Sequence, residues 1–133
     1  MKKTCVVFVV SILAVLLFAQ CKKDCDMVYN AQFYTPQSTG KLFLYIDGNY
    51  QGELPYMATA PECGQVYSDE QKPFTTQLRS GEYKLDGKDE HGVVRTSAII
   101  RFDRKSGYLG GGPVGGGASF NTSGDCAIIS LFE

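Results

Sequence analysis

Turn residues recur along this chain every eight to twelve positions, roughly the spacing that suits short strands and leaves no room for helices. Asp47-Gly48-Asn49, Pro55, Arg79-Ser80-Gly81 and Glu90-His91-Gly92 each close off a short apolar or alternating run. Lys41–Ile46 is rich in aromatic and branched residues and ends at a hairpin signal, and Tyr50–Leu54 resumes the strand pattern until Pro55. Phe74–Leu78 and Glu82–Asp86 follow, the second alternating polar and apolar as a half-buried strand does. In Val93–Phe102 the residues Val94, Thr96, Ala98, Ile100 and Phe102 share one face. Asp125–Phe132 sets Ala127, Ile129 and Leu131 against Ile128 and Phe132, and Met27–Tyr34 forms an opening strand. The expectation is an all-β fold, a small antiparallel β-sandwich or partly open barrel of about seven strands spanning residues 28–133.

Two stretches interrupt this pattern. Residues 57–72 mix polar and small residues around Pro61, Cys63 and Gly64, and are expected to cross from one sheet to the other. Residues 106–124 contain Gly110-Gly111-Gly112-Pro113-Val114-Gly115-Gly116-Gly117. A phosphate-cradling P-loop needs a Lys and a following helix, and neither is present, so this stretch reads as a mobile loop or a bulged edge.

The first twenty residues obey different rules. Met1-Lys2-Lys3 is basic, Thr4 to Cys21 carries no charge, and Val6–Phe18 is apolar apart from Ser11. A basic start followed by a short apolar run is the pattern of a secretory signal peptide, and the run is short for a membrane span of about 20 residues. Residues 1–20 are therefore assigned to a signal and residues 21–27 to a tether.

The end of that apolar run, Leu16-Leu17-Phe18-Ala19-Gln20-Cys21, resembles the lipobox of bacterial lipoproteins, with Gln20 in place of the usual small residue before the cysteine. The resemblance implies that Cys21 is lipidated and becomes the first residue of the mature chain. Acyl chains of the palmitate class contribute about 0.8 kcal/mol per buried CH2, so two or three would hold a small domain at a membrane. Cys21-Lys22-Lys23-Asp24 with Asp26 is also similar to the start of lipoproteins of Bacteroidetes-type bacteria. That likeness implies the cell envelope, the outer membrane or the cell surface.

With Cys5 lost in the signal and Cys21 taken by lipid, Cys25, Cys63 and Cys126 remain, in a compartment that permits disulfides. One bridge is expected. Cys63–Cys126 is favoured, since one lies in a Pro-Glu-Cys-Gly turn and the other opens the last strand; Cys25–Cys126 is the alternative. No C-x-x-C is present, and one His offers little for zinc, so no redox centre, metal or cofactor is expected.

Leu44–Pro55, with its Asp47-Gly48-x-x-x-Gly52 turn, followed by Leu78-Arg79-Ser80-Gly81-Glu82-Tyr83, resembles the PEGA-type β-repeat over about residues 41–103. It departs from that repeat by a long insertion after Pro55 and a tail from Lys105. The resemblance implies an envelope-associated β-module and brings no catalytic residues.

Residues able to do chemistry are few. His91 sits in a turn without a partner for acid–base work. Asp86, Asp89 and Glu90 are interrupted by Lys88 and lack the spacing of a calcium loop. Tyr45, Tyr50, Tyr56, Tyr67, Tyr83 and Tyr108 could supply a binding face for glycan or protein, although tyrosine is also simply a good strand former. Removing Lys2 and Lys3 from 13 basic residues, against 14 acidic ones, leaves a mature charge of about −3, which disfavours nucleic acid as a partner. The chain is thus expected to be a non-catalytic, membrane-anchored envelope lipoprotein acting as a structural or protein-interaction module. The alternative is a lipid-tethered protein that binds a glycan or small molecule.

Overall fold

The computed structural model describes residues 27–103, 107–111 and 116–133. The signal segment, Cys21, Cys25 and the tether before Met27 lie outside the described residues. Among the described residues nine strands form two sheets: β1 (Val28–Tyr34), β2 (Phe43–Ile46), β3 (Asn49–Glu53), β4 (Phe74–Arg79), β5 (Gly81–Lys88), β6 (Val94–Phe102), β7 (Gly107–Gly111), β8 (Gly117–Ser123) and β9 (Cys126–Phe132). A four-stranded sheet in the order β4-β1-β9-β8 packs on a five-stranded sheet in the order β3-β2-β5-β6-β7. The architecture is an all-β sandwich, as the punctuation of the sequence predicts.

Alternation along the strands sends one set of side chains inward. Phe33, Leu44, Leu85, Ile100, Ile129 and Leu131 are fully buried between the sheets. Each such side chain stabilises the fold by roughly 1.5–3 kcal/mol relative to exposure. Tyr29 stacks on Phe102 at 4.6 Å, and Phe120 meets the same ring edge-on at 5.6 Å, closing one end of the core. The β2–β3 hairpin turns on Asp47 (φ 50°) and Gly48 (φ 80°), the two positive φ values that a two-residue turn matched to strand twist requires.

Nearly all neighbours are antiparallel, but β1 and β9 run parallel, with Ala31 beside Ala127 and Phe33 beside Ile129. The first and last strands of the domain are thereby joined at the centre of the smaller sheet. The segment after β3 crosses to the smaller sheet, as expected for residues 57–72. On its way Thr35 and Tyr56 form an isolated bridge, and Thr35 N–H donates to Pro55 O at 2.9 Å. Farther along, Cys63 is bonded to Cys126 (Sγ–Sγ 2.01 Å, Cα–Cα 6.0 Å), which confirms the favoured pairing. Cys126 points to the outer side of β9, so the bridge straps the crossing segment onto the outer face of the four-stranded sheet.

Of the two forms expected for the glycine-rich stretch, the described parts take the edge of a sheet, without a bulge. Residues 107–111 and 117–123 are strands, not a mobile loop, while residues 104–106 and 112–115 lie outside the described residues. They raise the strand number from the expected seven to nine. β7 pairs with β6 and β8 with β9, so each is held by a partner rather than by its own propensity. Two glycines there are needed for close approach. A Cβ on Gly117 would lie 2.1 Å from the Phe132 ring, and one on Gly116 would lie 2.7 Å from Phe132 O and 2.9 Å from Arg95 O. At this corner Thr96 Oγ1 donates to Gly117 O at 3.1 Å, tying the two sheets together.

Candidate functional site

Side chains that alternate with the core on β2, β3 and β5 meet on the outer face of the five-stranded sheet. Because Tyr45 pairs with Tyr50 across one ladder and with Asp86 across the other, strand register alone brings them together. The Tyr45 and Tyr50 rings meet edge-on at 5.5 Å, and Phe43 lies 6.3 Å from Tyr50. Tyr50 is 59% exposed at the edge of the cluster. Lys88 places its ammonium 4.1 Å from the centre of the Tyr45 ring, a cation–π contact. The hydroxyls of Tyr45 and Tyr50 have no hydrogen-bond partner among the described residues.

Beneath this cluster Asp86 is buried although it faces outward. Its carboxylate accepts from Ser97 Oγ at 2.7 Å and pairs with Lys84 Nζ at 3.2 Å, so both oxygens are occupied. Arg101 is paired with Glu82, and Lys41 with Glu53 at 3.4 Å. Lys88 lacks a carboxylate partner among the described residues, and it leaves the aromatic cluster with an excess positive charge.

Tyr83, Tyr67 and Tyr56 do not join this face. Tyr83 packs against the core edge-on to Phe102 and donates to Arg79 O at 3.0 Å. Tyr67 organises the crossing segment, its hydroxyl accepting from Glu62 N–H at 2.6 Å and donating to Gln65 Oε1 at 2.8 Å. Tyr56 is exposed beside the bridge to Thr35, and the Tyr108 side chain lies outside the description. Phe43, Lys88 and Asp86 are members that a search restricted to tyrosine misses. Their signal in the sequence is the outward parity of their strands, which becomes useful once the pairing is known.

A second feature is a polar cleft of about 550 Å³ at the end of the sandwich where β5 turns into β6. Its walls come from Ser38 to Lys41, from Asp89 to His91, and from Arg95 and Glu133. Asp89 builds the turn: its Oδ1 accepts from the N–H groups of His91 and Val93, both at 2.9 Å, and its Oδ2 accepts from Arg95 Nε at 2.8 Å. These bonds, led by the Val93 N–H, hold the Asp89 carboxyl below its ordinary value of 3.8. Glu133 is tied across the mouth by Gln37, donating its N–H to Oε1 at 2.7 Å and accepting from Nε2 at 3.2 Å. His91 is exposed in its turn, on the rim. No three His, Cys, Asp or Glu side chains among the described residues are grouped to hold a metal ion.

No protein-family model matches this sequence, and neither a curated protein nor a solved structure is significantly similar to it.

Proposed function

We propose that this chain is a non-catalytic lipoprotein of the bacterial cell envelope, anchored through Cys21, that binds another envelope protein through the Phe43–Tyr45–Tyr50 face. The anchoring half rests on the sequence: a basic start, an apolar run, and a cysteine followed by Lys22-Lys23-Asp24. The PEGA-type reading of residues 41–103 belongs to the same proposal, and it assigns an envelope-associated module. The single observation that carries the binding half is the aromatic cluster on a sheet face, Phe43 and Tyr45 half-buried and Tyr50 exposed, with Lys88 beside it. Exposed Tyr and Phe supply apolar area with few rotatable bonds, the composition that concentrates binding energy in protein interfaces. The excess charge of Lys88 makes the complementary surface acidic.

The outer membrane is the expected site of anchoring, with the module facing the periplasm or displayed on the cell surface. A second reading, binding of a glycan by the same rings, is favoured by one observation, the unpartnered hydroxyls of Tyr45 and Tyr50.

The anchor is tested by metabolic labelling with a fatty-acid analogue: Cys21→Ala should abolish the label, and undiminished labelling ends the lipoprotein reading. The face is tested in cells with a photocrosslinking residue at position 50, and at Asn121 on the opposite sheet as control. A single adduct from position 50, absent from Asn121 and lost on Phe43→Ala, is expected. Equal adducts at both positions refute the face, and glycan-array binding that needs Tyr50 without any protein adduct selects the second reading.

A further inference from the structure

We infer that the polar cleft at the β5–β6 end is a binding site for a small zwitterion of the amino-acid or short-peptide class, a site separate from the aromatic face. Its volume of about 550 Å³ lies within the roughly 300–1,000 Å³ that small-molecule sites occupy.

The argument turns on which charged atoms are already committed. Asp89 is fully committed, with two backbone donors on one oxygen and Arg95 on the other. Lys41 is paired with Glu53, and Glu133 approaches Arg95 Nε at 3.7 Å. The side-chain hydrogen bond that Arg95 makes among the described residues runs through Nε. Among the described residues its two terminal amino groups have no hydrogen-bond partner, while the Asp89 pair holds the guanidinium at the cleft. A fork of N–H donors fixed from behind is the group best shaped for a carboxylate, and little freedom remains to be lost on binding.

The opposite sign is also available. Glu90 lines the cleft, and its carboxylate makes no hydrogen bond or ion pair among the described residues. A simple anion would gain Arg95 but would sit beside Glu90 and Glu133. A simple cation would gain Glu90 but would face Arg95 and Lys41. A ligand with a carboxylate at one end and an ammonium at the other satisfies both unspent groups at once. Three segments distant in sequence, Ser38–Lys41, Asp89–Arg95 and Glu133, converge to form the walls, and the Gln37–Glu133 pair of hydrogen bonds fixes the mouth.

The test is titration of the intact chain in detergent with L-alanyl-L-alanine, followed by amide NMR and calorimetry. Saturable shifts centred on Gly40, His91 and Gly92 are expected. N-acetyl-dialanine and dialanine amide, each missing one charge, should bind at least about tenfold more weakly, the loss of one charge-assisted contact. Arg95→Gln should do the same, but it also breaks the Asp89 pair. Glu90→Gln touches no contact within the protein, so it carries the decision and should weaken dialanine while leaving the acetylated analogue unaffected. No shift up to about 10 mM dialanine, a range that detects even millimolar Kd values, overturns the site. Equal binding of the acetylated analogue, or an unchanged Glu90→Gln, overturns the zwitterion. Either failure leaves the position-50 crosslink untouched, so the two proposals fall separately.

Discussion

Replacing Gly116 with Ala tests whether the glycine-rich stretch is built into the fold. Gly116 has φ 98°, and an added Cβ would sit 2.7 Å from Phe132 O, 2.9 Å from Arg95 O and 3.0 Å from Thr96 Cβ. Two of those three neighbours are backbone atoms of paired strands, which cannot swing aside as a side-chain end can. A side chain held at positive φ costs about 1–2 kcal/mol, and forcing extra atoms into packed surroundings adds about 1–3 kcal/mol. The sum is about 2–5 kcal/mol, slightly reduced because Ala also restricts the unfolded chain. Gly40 (φ 79°) and Gly64 (φ 82°) provide the control, since an added Cβ meets nothing within 4 Å at either position. Ala at those positions should cost only the backbone strain, about 1–2 kcal/mol. Urea unfolding followed by circular dichroism reads the difference as a shift of midpoint at constant slope. If Gly116→Ala unfolds no earlier than Gly40→Ala, the corner is not packed as described, and the strand assignment of residues 117–123 loses its physical basis.

Three further outcomes are expected. Replacing Cys63 and Cys126 together by Ser should cost about 4 kcal/mol for a loop of this length in the chain-entropy account, measured by urea midpoint, and non-reducing peptide mapping of the wild type should show no linkage to Cys25. Asp89 has a folded pKa below its ordinary value, so its stabilisation is complete above about pH 4 and is lost as pH falls through the depressed value. Asp89→Asn should accordingly lower the urea midpoint at pH 7 and flatten its fall between pH 5 and pH 3. Asp86→Ala strands the Ser97 hydroxyl and should cost about 1–3 kcal/mol, whereas Asp86→Asn, which keeps an acceptor for Ser97, should cost less; a reversed order would refute the buried bond.

What could be read from the chain before its structure divides along a physical line. β1 to β6 and β9 were legible because their alternation and their turn residues are local properties, visible in a window of ten residues. β7 and β8 were not. Gly110, Gly111 and Gly117 have poor strand propensity, and Ser119, Asn121 and Ser123 face outward, so only pairing with β6 and β9 makes these segments strands. The parallel pairing of β1 with β9 was equally invisible, because nothing local in Val28–Tyr34 specifies a partner about a hundred residues away. The candidate sites follow the same rule. Tyr45 and Tyr50 drew notice by residue type and lie together, but Tyr67 and Tyr83 serve the crossing segment and the core margin. Arg95 gave no sign: it is a charged residue at a strand start until the hairpin folds it back onto Asp89.

The two outer faces of the sandwich are treated differently, and the difference bears on where binding can occur. On the four-stranded sheet, the crossing segment is bonded to the outward side of β9, while Tyr34 and Ser130, also outward, are buried. The strap covers the middle of that face and shields the junction of the first and last strands, while Thr75, Gln77, Ser119 and Asn121 toward its edges stay exposed. On the five-stranded sheet the outward aromatics Phe43, Tyr45 and Tyr50 are covered by no such strap among the described residues, and Lys88 lays its charge across Tyr45. Phe33, Leu44 and Leu85 already fill the interior, so these rings are surplus to the core. Exposed aromatic area in contiguous form carries an aggregation cost for a free protein. Here Lys88 lays its charge over Tyr45 without covering Tyr50, and the hydrogen bond from Gln51 Nε2 to Asn49 O, 3.2 Å, occupies one acceptor on the edge strand β3. An aromatic surface left open beside a single cation is the feature on which the proposed docking rests.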